Sequence, residues 1–184
     1  MSVRIQNVVA SAAFNQTFDL IAIANAFPRD TEFKGRFPGL VFRLKQPKTT
    51  MLIFKSGKMI CTGGKSAGEA RRAILAAIRK LKKCAINVAG KPEIKITNIV
   101  ASAILNGFID LDKLYSSEGM EGNILFEREQ FPALIYRWDN PQVIFLVFST
   151  GKIVCVGAKN EEDIYEAIEN LRGKLEESEV LIKS

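Results

Sequence analysis

The sequence predicts an α+β protein made of two copies of one unit, each an antiparallel sheet with helices on one face only. Three observations predict it: a long internal repeat, strand segments that are apolar on both parities, and an amphipathic helix pattern closing each copy. The segment FPGLVFRLKQPKTTMLIFKSGKMICTGGKS from Phe37 aligns without a gap with FPALIYRWDNPQVIFLVFSTGKIVCVGAKN from Phe131, an offset of 94 residues. Upstream, IQNVVASA around Asn7 matches ITNIVASA around Asn98 at an offset of 91, so the second copy carries three more residues, expected between Ser116 and Asn123. Self-similarity at a fixed period marks a repeated structural unit. Residues 1–91 and 92–184 are thus read as two repeats of one intimately joined, pseudo-twofold domain.

Each copy opens on an alternating strand, Val3–Ala12 and Ile94–Ala103. A short helix follows, with apolar positions Leu20, Ile23, Ala24 and Phe27 in the first copy and Leu111, Leu114 and Tyr115 in the second. Three more strands come next: Leu40–Lys45, Thr50–Phe54 and Lys58–Thr62, with equivalents Leu134–Trp138, Val143–Phe148 and Lys152–Val156. Ser56-Gly57-Lys58 and Thr150-Gly151-Lys152 read as hairpin turns, because glycine supplies the positive φ that tight turns need. A long helix closes each copy. Ser66 with Glu69 makes a capping box ahead of the stripe Ala70, Ile74, Ala77, Ile78, Leu81. Asn160 caps the second, ahead of Ile164, Ala167, Ile168, Leu171 and Leu175. Arg71, Arg72, Arg79, Lys80 and Lys83 form a solvated helix face, and Glu176–Ser184 is expected to be a mobile acidic end.

The strands carry the unusual signal. A sheet covered by helices on one face should alternate to polar side chains on the other. Here Met59 and Cys61 oppose Ile60 and Thr62, and Met51 and Ile53 oppose Leu52 and Phe54. Ile153 and Cys155 oppose Val154 and Val156. Beside Leu146 and Phe148, Ile144 and Val147 suggest a parity broken by a bulge. Apolar residues on both sides, with no third layer of helices in the chain, leave a large bare face awaiting a partner.

Composition narrows the chemistry. The chain has no histidine and no C-x-x-C pair, so a zinc site or histidine acid–base catalysis is not expected, and neither a cofactor nor a metal is called for. Cys61, Cys84 and Cys155 read as free, buried thiols in a reducing compartment. The longest strongly apolar stretch, Val143–Phe148, is far too short to span a bilayer, and Arg4, Gln6 and Asn7 interrupt any signal-peptide pattern. Charge is uneven: residues 1–91 hold 17 Lys/Arg against 4 Asp/Glu, and residues 92–184 hold 9 against 16. One basic and one acidic half imply at least two partners of different charge.

The stretches QNVVAS, FPGLVFRLKQPKTTMLIFKSGKMICTGGKS, ITNIVAS, FPALIYRW and GKIVCVGAK together resemble the TATA-box-binding protein family, over nearly the whole chain. The chain opens directly on this core, as archaeal forms do. The resemblance implies a saddle with a curved antiparallel sheet and helices on its convex face. It also implies a general transcription factor, not an enzyme, that grips and kinks the minor groove of A/T-rich TATA-box promoter DNA. Transcription factor B would be a direct partner and RNA polymerase an indirect one, in the cytoplasm at the archaeal nucleoid.

Residue by residue, the resemblance implies wedges at Phe37 with Phe54 and at Phe131 with Phe148. Asn7 and Asn98 would donate to adenine N3 and thymine O2, acceptors present at every A·T pair. Val9, Val100, Leu52, Ile60, Leu146 and Val154 would line the groove floor, where apolar groups leave guanine's exocyclic amine unpaired. Thr62 matches a family threonine at the central step, and its counterpart Val156 departs from the pattern. Phosphate contacts carry over to Arg43 and Arg137, Lys58 and Lys152, Lys65 and Lys159, and Ser56 and Thr150, with Arg36 in the first repeat only. Glu127 and Glu129 fall where family members meet transcription factor B.

Two other readings stay open. A sheet module that dimerises through its bare face would bind protein or ligand and be indifferent to DNA sequence. A DNA glycosylase-like domain would require a helix-hairpin-helix and a catalytic Lys/Asp pair in an appended domain. The free protein is also a candidate homodimer on the first reading.

Overall fold

The structure, a computed structural model, describes residues 1–117 and 123–183. The extra residues of the second copy, expected between Ser116 and Asn123, fall mainly outside the described residues. The elements run β1 (Ser2–Ala13), α1 (Leu20–Ala26), β2 (Thr31–Glu32), β3 (Leu40–Lys45), β4 (Lys48–Ile53), β5 (Lys58–Gly64) and α2 (Ala67–Lys83). They continue with β6 (Glu93–Ile104), β7 (Phe108–Ile109), α3 (Leu111–Tyr115), β8 (Ile124–Leu125), β9 (Ala133–Asp139), β10 (Gln142–Phe148), β11 (Lys152–Ala158), α4 (Glu161–Glu177) and β12 (Leu181–Ile182). The chain forms two compact units, Asn7–Thr97 and Met1–Gln6 with Asn98–Ser184, called here the N-terminal and C-terminal units.

In the N-terminal unit the sheet order is β2-β3-β4-β5-β1, every pair antiparallel. Helix α2 starts where Ser66 Oγ accepts the Glu69 N–H at 3.0 Å, satisfying a donor that the first turn would otherwise leave orphaned. Its buried stripe of Ala70, Ala73, Ile74, Ala77, Ile78 and Leu81 packs on β4 and β5. There it meets the inward set Met51, Ile53, Met59 and Cys61, all fully buried. Each large side chain so buried contributes about 1.5–3 kcal/mol of transfer free energy. The C-terminal unit repeats the plan with sheet order β6-β11-β10-β9-β8. Asn160 Oδ1 accepts the Asp163 N–H at 2.8 Å to start α4, which packs on β11. Both units are α+β, as the periodicity requires.

The hairpin glycines sit where no other residue fits. Gly57 has φ +95°, and a Cβ there would collide with the Gln16 carbonyl; Gly151 has φ +84° and faces the Gly107 carbonyl in the same way. These close approaches arise because each turn is also bonded to the end of the opening strand: Phe14 N–H to Gly57 O and Leu105 N–H to Gly151 O, both 2.9 Å.

Three expectations need correction. Strand β10 has no bulge: its register with β9 is regular from Gln142 to Phe148. Val143, Phe145 and Val147 are buried under the helix while Ile144, Leu146 and Phe148 share the other face, so Ile144 and Val147 do not lie together. The tail is not loose through Ile182. Val180 is fully buried, its carbonyl accepts the Asp110 N–H at 2.9 Å, and Leu181–Ile182 pair with Phe108–Ile109 as a two-stranded sheet. Apolar Val-Leu-Ile after an acidic helix end is the reason. Cys84 is exposed, because α2 ends at Lys83 before its buried stripe can turn back to the sheet; Cys61 and Cys155 are buried as expected. The edge strands β2 and β8, two residues each, were not predicted, since two residues carry no periodicity.

Burial pushes the Cys61 thiol up to about 11 and the Cys155 thiol up to about 12. The folded state therefore holds both protonated while the unfolded chain ionises them near 9. Their contribution is complete below pH 9 and is lost as pH rises toward 11–12, at up to about 1.4 kcal/mol per pH unit per thiol. Urea unfolding across this range should show the decline, and the C61A/C155A variant should show less of it. Under native conditions near neutral pH, iodoacetamide should modify Cys84 alone. Val180→Ala should cost about 2 kcal/mol in the same unfolding measurement, through lost burial and the cavity left behind; a mobile tail would give no change.

Candidate nucleic-acid interface

On the side of each sheet away from its helix, the side chains are apolar and partly exposed. In the N-terminal unit Leu52 stands opposite Ile60, and Ile60 opposite Ser11. In the C-terminal unit Leu146 stands opposite Val154, and Val154 opposite Ser102. Val9 and Val100 belong to the same faces, Val100 directly opposite Val156. All six predicted floor residues are half-buried, while the residues between them along each strand are buried beneath the helices. Val41, Ile135 and Ile144 extend the two faces, with Val41 opposite Leu52, Ile135 opposite Leu146, and Ile144 opposite Val156.

At the edge of each face stands a pair of phenylalanines. The Phe37 and Phe54 ring centroids are 5.6 Å apart, edge to face, and those of Phe131 and Phe148 are 6.3 Å apart in the same manner. Phe37 and Phe131 are 36% and 39% exposed, unusual for rings that have an aromatic neighbour to cover them. The difference in spacing has a local cause. A Cβ on Gly39 would lie 2.9 Å from Phe37 Cε1 and 3.1 Å from Phe54 Cε1. The second repeat carries Ala133 at that position, and its methyl group keeps the rings further apart.

The two asparagines are fixed by the backbone of the strand beside them. Gly63, φ +94°, and Gly157, φ +105°, lie where the register of β5 against β1 and of β11 against β6 slips by one residue. A bulge leaves a strand N–H without its ladder partner. Asn7 Oδ1 accepts the Gly63 N–H at 2.7 Å, and Asn98 Oδ1 accepts the Gly157 N–H at 2.8 Å. With the carbonyl oxygen so engaged, each side chain must present its NH2 group the other way, as donors. Asn7 Nδ2 reaches Thr62 Oγ1 at 3.2 Å. Val156 offers no such acceptor to Asn98.

Cations and hydroxyls ring these faces. Arg36, Arg43, Ser56, Lys58 and Lys65 are exposed in the N-terminal unit, and Arg137, Thr150, Lys152 and Lys159 in the C-terminal unit. Arg43 is bonded to Glu32 at 3.0 Å, whereas Leu125 takes the equivalent place beside Arg137. Arg43 and Lys65 flank a 460 Å³ cleft at Thr62 and Gly63; Arg137 and Lys159 flank one of 720 Å³ at Val156 and Gly157. Glu127 and Glu129 are exposed in the turn before Phe131, whose N–H bonds the Glu127 carbonyl at 2.9 Å. Arg128 between them turns back to Asp112 and over the Phe126 ring. No group of three or more metal-ligating side chains exists among the described residues, and no helix there is long and apolar enough to cross a membrane.

A family model described as transcription factor TFIID (or TATA-binding protein, TBP) matches residues 2–84 and 93–178. This chain belongs to the TATA-box-binding protein family. It is 47% identical over 175 residues to the TATA-box-binding protein of Sulfolobus acidocaldarius, covering 95% of this chain and 87% of the relative. It is 45% identical over 174 residues to that of Archaeoglobus fulgidus, covering 94% of each. The solved structure of Methanococcus jannaschii TBP matches with a TM-score of 0.84 at 42% identity, over 96% of this chain and 99% of that one.

Within this family member, sequence reasoning missed the residues that position the predicted ones. Gly63 and Gly157 belong to the recurring C-T-G-G-K and C-V-G-A-K motifs, and a glycine inside a strand pattern is the signal for a bulge. Glu32, the partner of Arg43, sits in a two-residue strand and had no signal at all. The clamp predicts a separation of roles at Asn98. Asn98→Leu should cost about 1–3 kcal/mol by orphaning the Gly157 N–H, while Asn98→Asp, which keeps an acceptor, should cost less in urea unfolding. Equal losses would mean that the acceptor is immaterial.

Proposed function

We propose that this protein is a general transcription factor that binds the minor groove of A/T-rich TATA-box DNA, kinks it with its two phenylalanine pairs, and recruits transcription factor B. The observation that carries the reading is the uncovered apolar face of each unit, furnished with an inward-fixed asparagine amide and bordered by two adjacent, partly exposed rings. Such a face suits the floor of a widened minor groove. A·T pairs present only acceptors there, matched by the Asn7 and Asn98 NH2 groups, and the aliphatic side chains find no donor to leave unpaired. A G·C pair adds the guanine amine, which aliphatic side chains cannot satisfy.

The rigid rings of each unit act as wedges between base pairs. TATA-box-binding proteins are themselves the standard example of this energetics, in which unstacking a step costs a few kcal/mol and is offset by the larger surface that bent DNA brings into contact. Arg36, Arg43, Arg137 and the lysines at positions 58, 65, 152 and 159 contact phosphates, with Ser56 and Thr150 beside them. They set register and make affinity depend on salt. The exposed carboxylates of Glu127 and Glu129 form the contact for transcription factor B, whose interface must be basic, and polymerase follows through that factor. Before DNA is bound, the apolar faces supply the surface for a homodimer.

Fluorescent end-labelled TATA and G·C duplexes, titrated at several salt concentrations, test the reading through binding and end-to-end distance together. Selective binding with shortening is expected; equal affinity for both duplexes would exclude it. Replacing Phe37, Phe54, Phe131 and Phe148 by Ala should reduce the bend more than the non-specific affinity. Lys152→Gln should weaken binding to all sequences alike and lower the salt slope by about 1. Glu129→Arg should weaken recruitment of transcription factor B and spare DNA binding; loss of both together would remove the partner assignment.

A further inference from the structure

The two repeats are not chemically equivalent at the cross-strand pair beside the asparagine. In the N-terminal unit Thr50 stands opposite Thr62, two hydroxyls on one face. In the C-terminal unit Ile144 stands opposite Val156, and Val156 opposite Val100, three aliphatic groups. We propose that this pair sets a different tolerance for guanine in each half of the bound duplex: base pairs against Thr50 and Thr62 can include a G·C pair, and those against Ile144 and Val156 cannot. The inference rests on the minor-groove reading above.

A hydroxyl has one proton and two lone pairs. One lone pair of Thr62 accepts Asn7 Nδ2 at 3.2 Å, a bond held in place because Gly63 N–H engages the other end of the same amide at 2.7 Å. The Thr62 O–H reaches Asn7 Oδ1 only at 3.5 Å, the long limit of a hydrogen bond, so that proton and the remaining lone pair can turn to a ligand at little cost. At an A·T pair the O–H donates to adenine N3 or thymine O2; at a G·C pair the lone pair accepts the guanine amine. Thr50 adds a second hydroxyl with the same freedom.

The C-terminal unit has the reverse chemistry. Val156 and Ile144 neither donate nor accept. Asn98 presents an NH2 group with no threonine to receive it: among the described residues its side chain makes one hydrogen bond, the one its oxygen takes from Gly157 at 2.8 Å. A guanine amine there meets aliphatic carbon and other donors, and stays unpaired. Leaving such a donor unsatisfied weakens binding by about tenfold to a hundredfold. The protein therefore turns on an asymmetric site so that a G·C pair falls to its N-terminal half.

The exposed Cys84 permits a direct test, since Cys61 and Cys155 are buried and Cys84 lies in the same unit as Thr62. A donor fluorophore on Cys84 is paired with an acceptor on either end of an A·T-rich duplex carrying one G·C pair in one half. Energy transfer should be greater with the acceptor on the end nearer the G·C pair, by an orientation ratio of about tenfold. Inosine·C, which lacks the amine, should abolish the preference. The exchange Thr62→Val with Val156→Thr should reduce or reverse the ratio, and Thr62→Ser, which keeps the hydroxyl, should preserve it. An unchanged ratio in the exchanged protein, with A·T selectivity intact, overturns this inference alone. Absence of any A·T selectivity in the native protein overturns the minor-groove reading and this inference with it.

Discussion

Each sheet in this protein has two apolar faces and helices enough for one. Helix α2 covers β4 and β5, and α4 covers β11, through stripes of buried small and branched side chains. The opposite side chains, among them Leu52, Ile60, Leu146 and Val154, are left half-exposed. Exposed apolar area of this kind is costly in a free monomer and is normally a binding surface. Every other feature of the interface is arranged around that uncovered face.

The asparagines show how a polar group is kept useful within it. A polar side chain on an apolar face has to be hydrogen-bonded, yet a fully bonded one has nothing to offer a ligand. The strand bulges at Gly63 and Gly157 resolve this by supplying one unpartnered N–H each. That bond consumes the oxygen of the amide and fixes the direction of its NH2 group. The backbone defect and the side chain are thus one device, made possible because glycine adopts φ near +100° without strain.

Repetition conserved this plan while the surfaces diverged. The first copy carries 17 basic against 4 acidic residues and the second 9 against 16, although both share strand order, caps, hairpin turns and bulges. Substitutions that leave the buried parity untouched do not disturb the fold: Thr50 for Ile144, Thr62 for Val156, Glu32 for Leu125, Gly39 for Ala133. All four lie on or beside the open face, so a scaffold of near-equivalent halves presents unlike chemistry to its partner.

The order of strands and long helices was legible in the sequence because period-2 and period-3.6 patterns report local geometry, and the repeat gave each segment a second witness. The recurrence of four phenylalanines and two asparagines at fixed offsets was legible in the sequence, and the family resemblance suggested roles for them. The face of Ile144 was misjudged because Val143–Phe148 is apolar throughout, so hydropathy could not say which residues the helix takes; pairing with β9 and β11 decided it. The end of the chain looked like a loose acidic tail until Val180 bonded to Asp110 and Leu181 paired with Ile109, about seventy residues back along the chain. Sequence by itself determined which segments are strands and helices and that one face would be bare. Only tertiary structure decided the bulge-to-asparagine bonds, the Arg43–Glu32 pair and the spacing of the rings, because these depend on register between strands that local patterns do not encode.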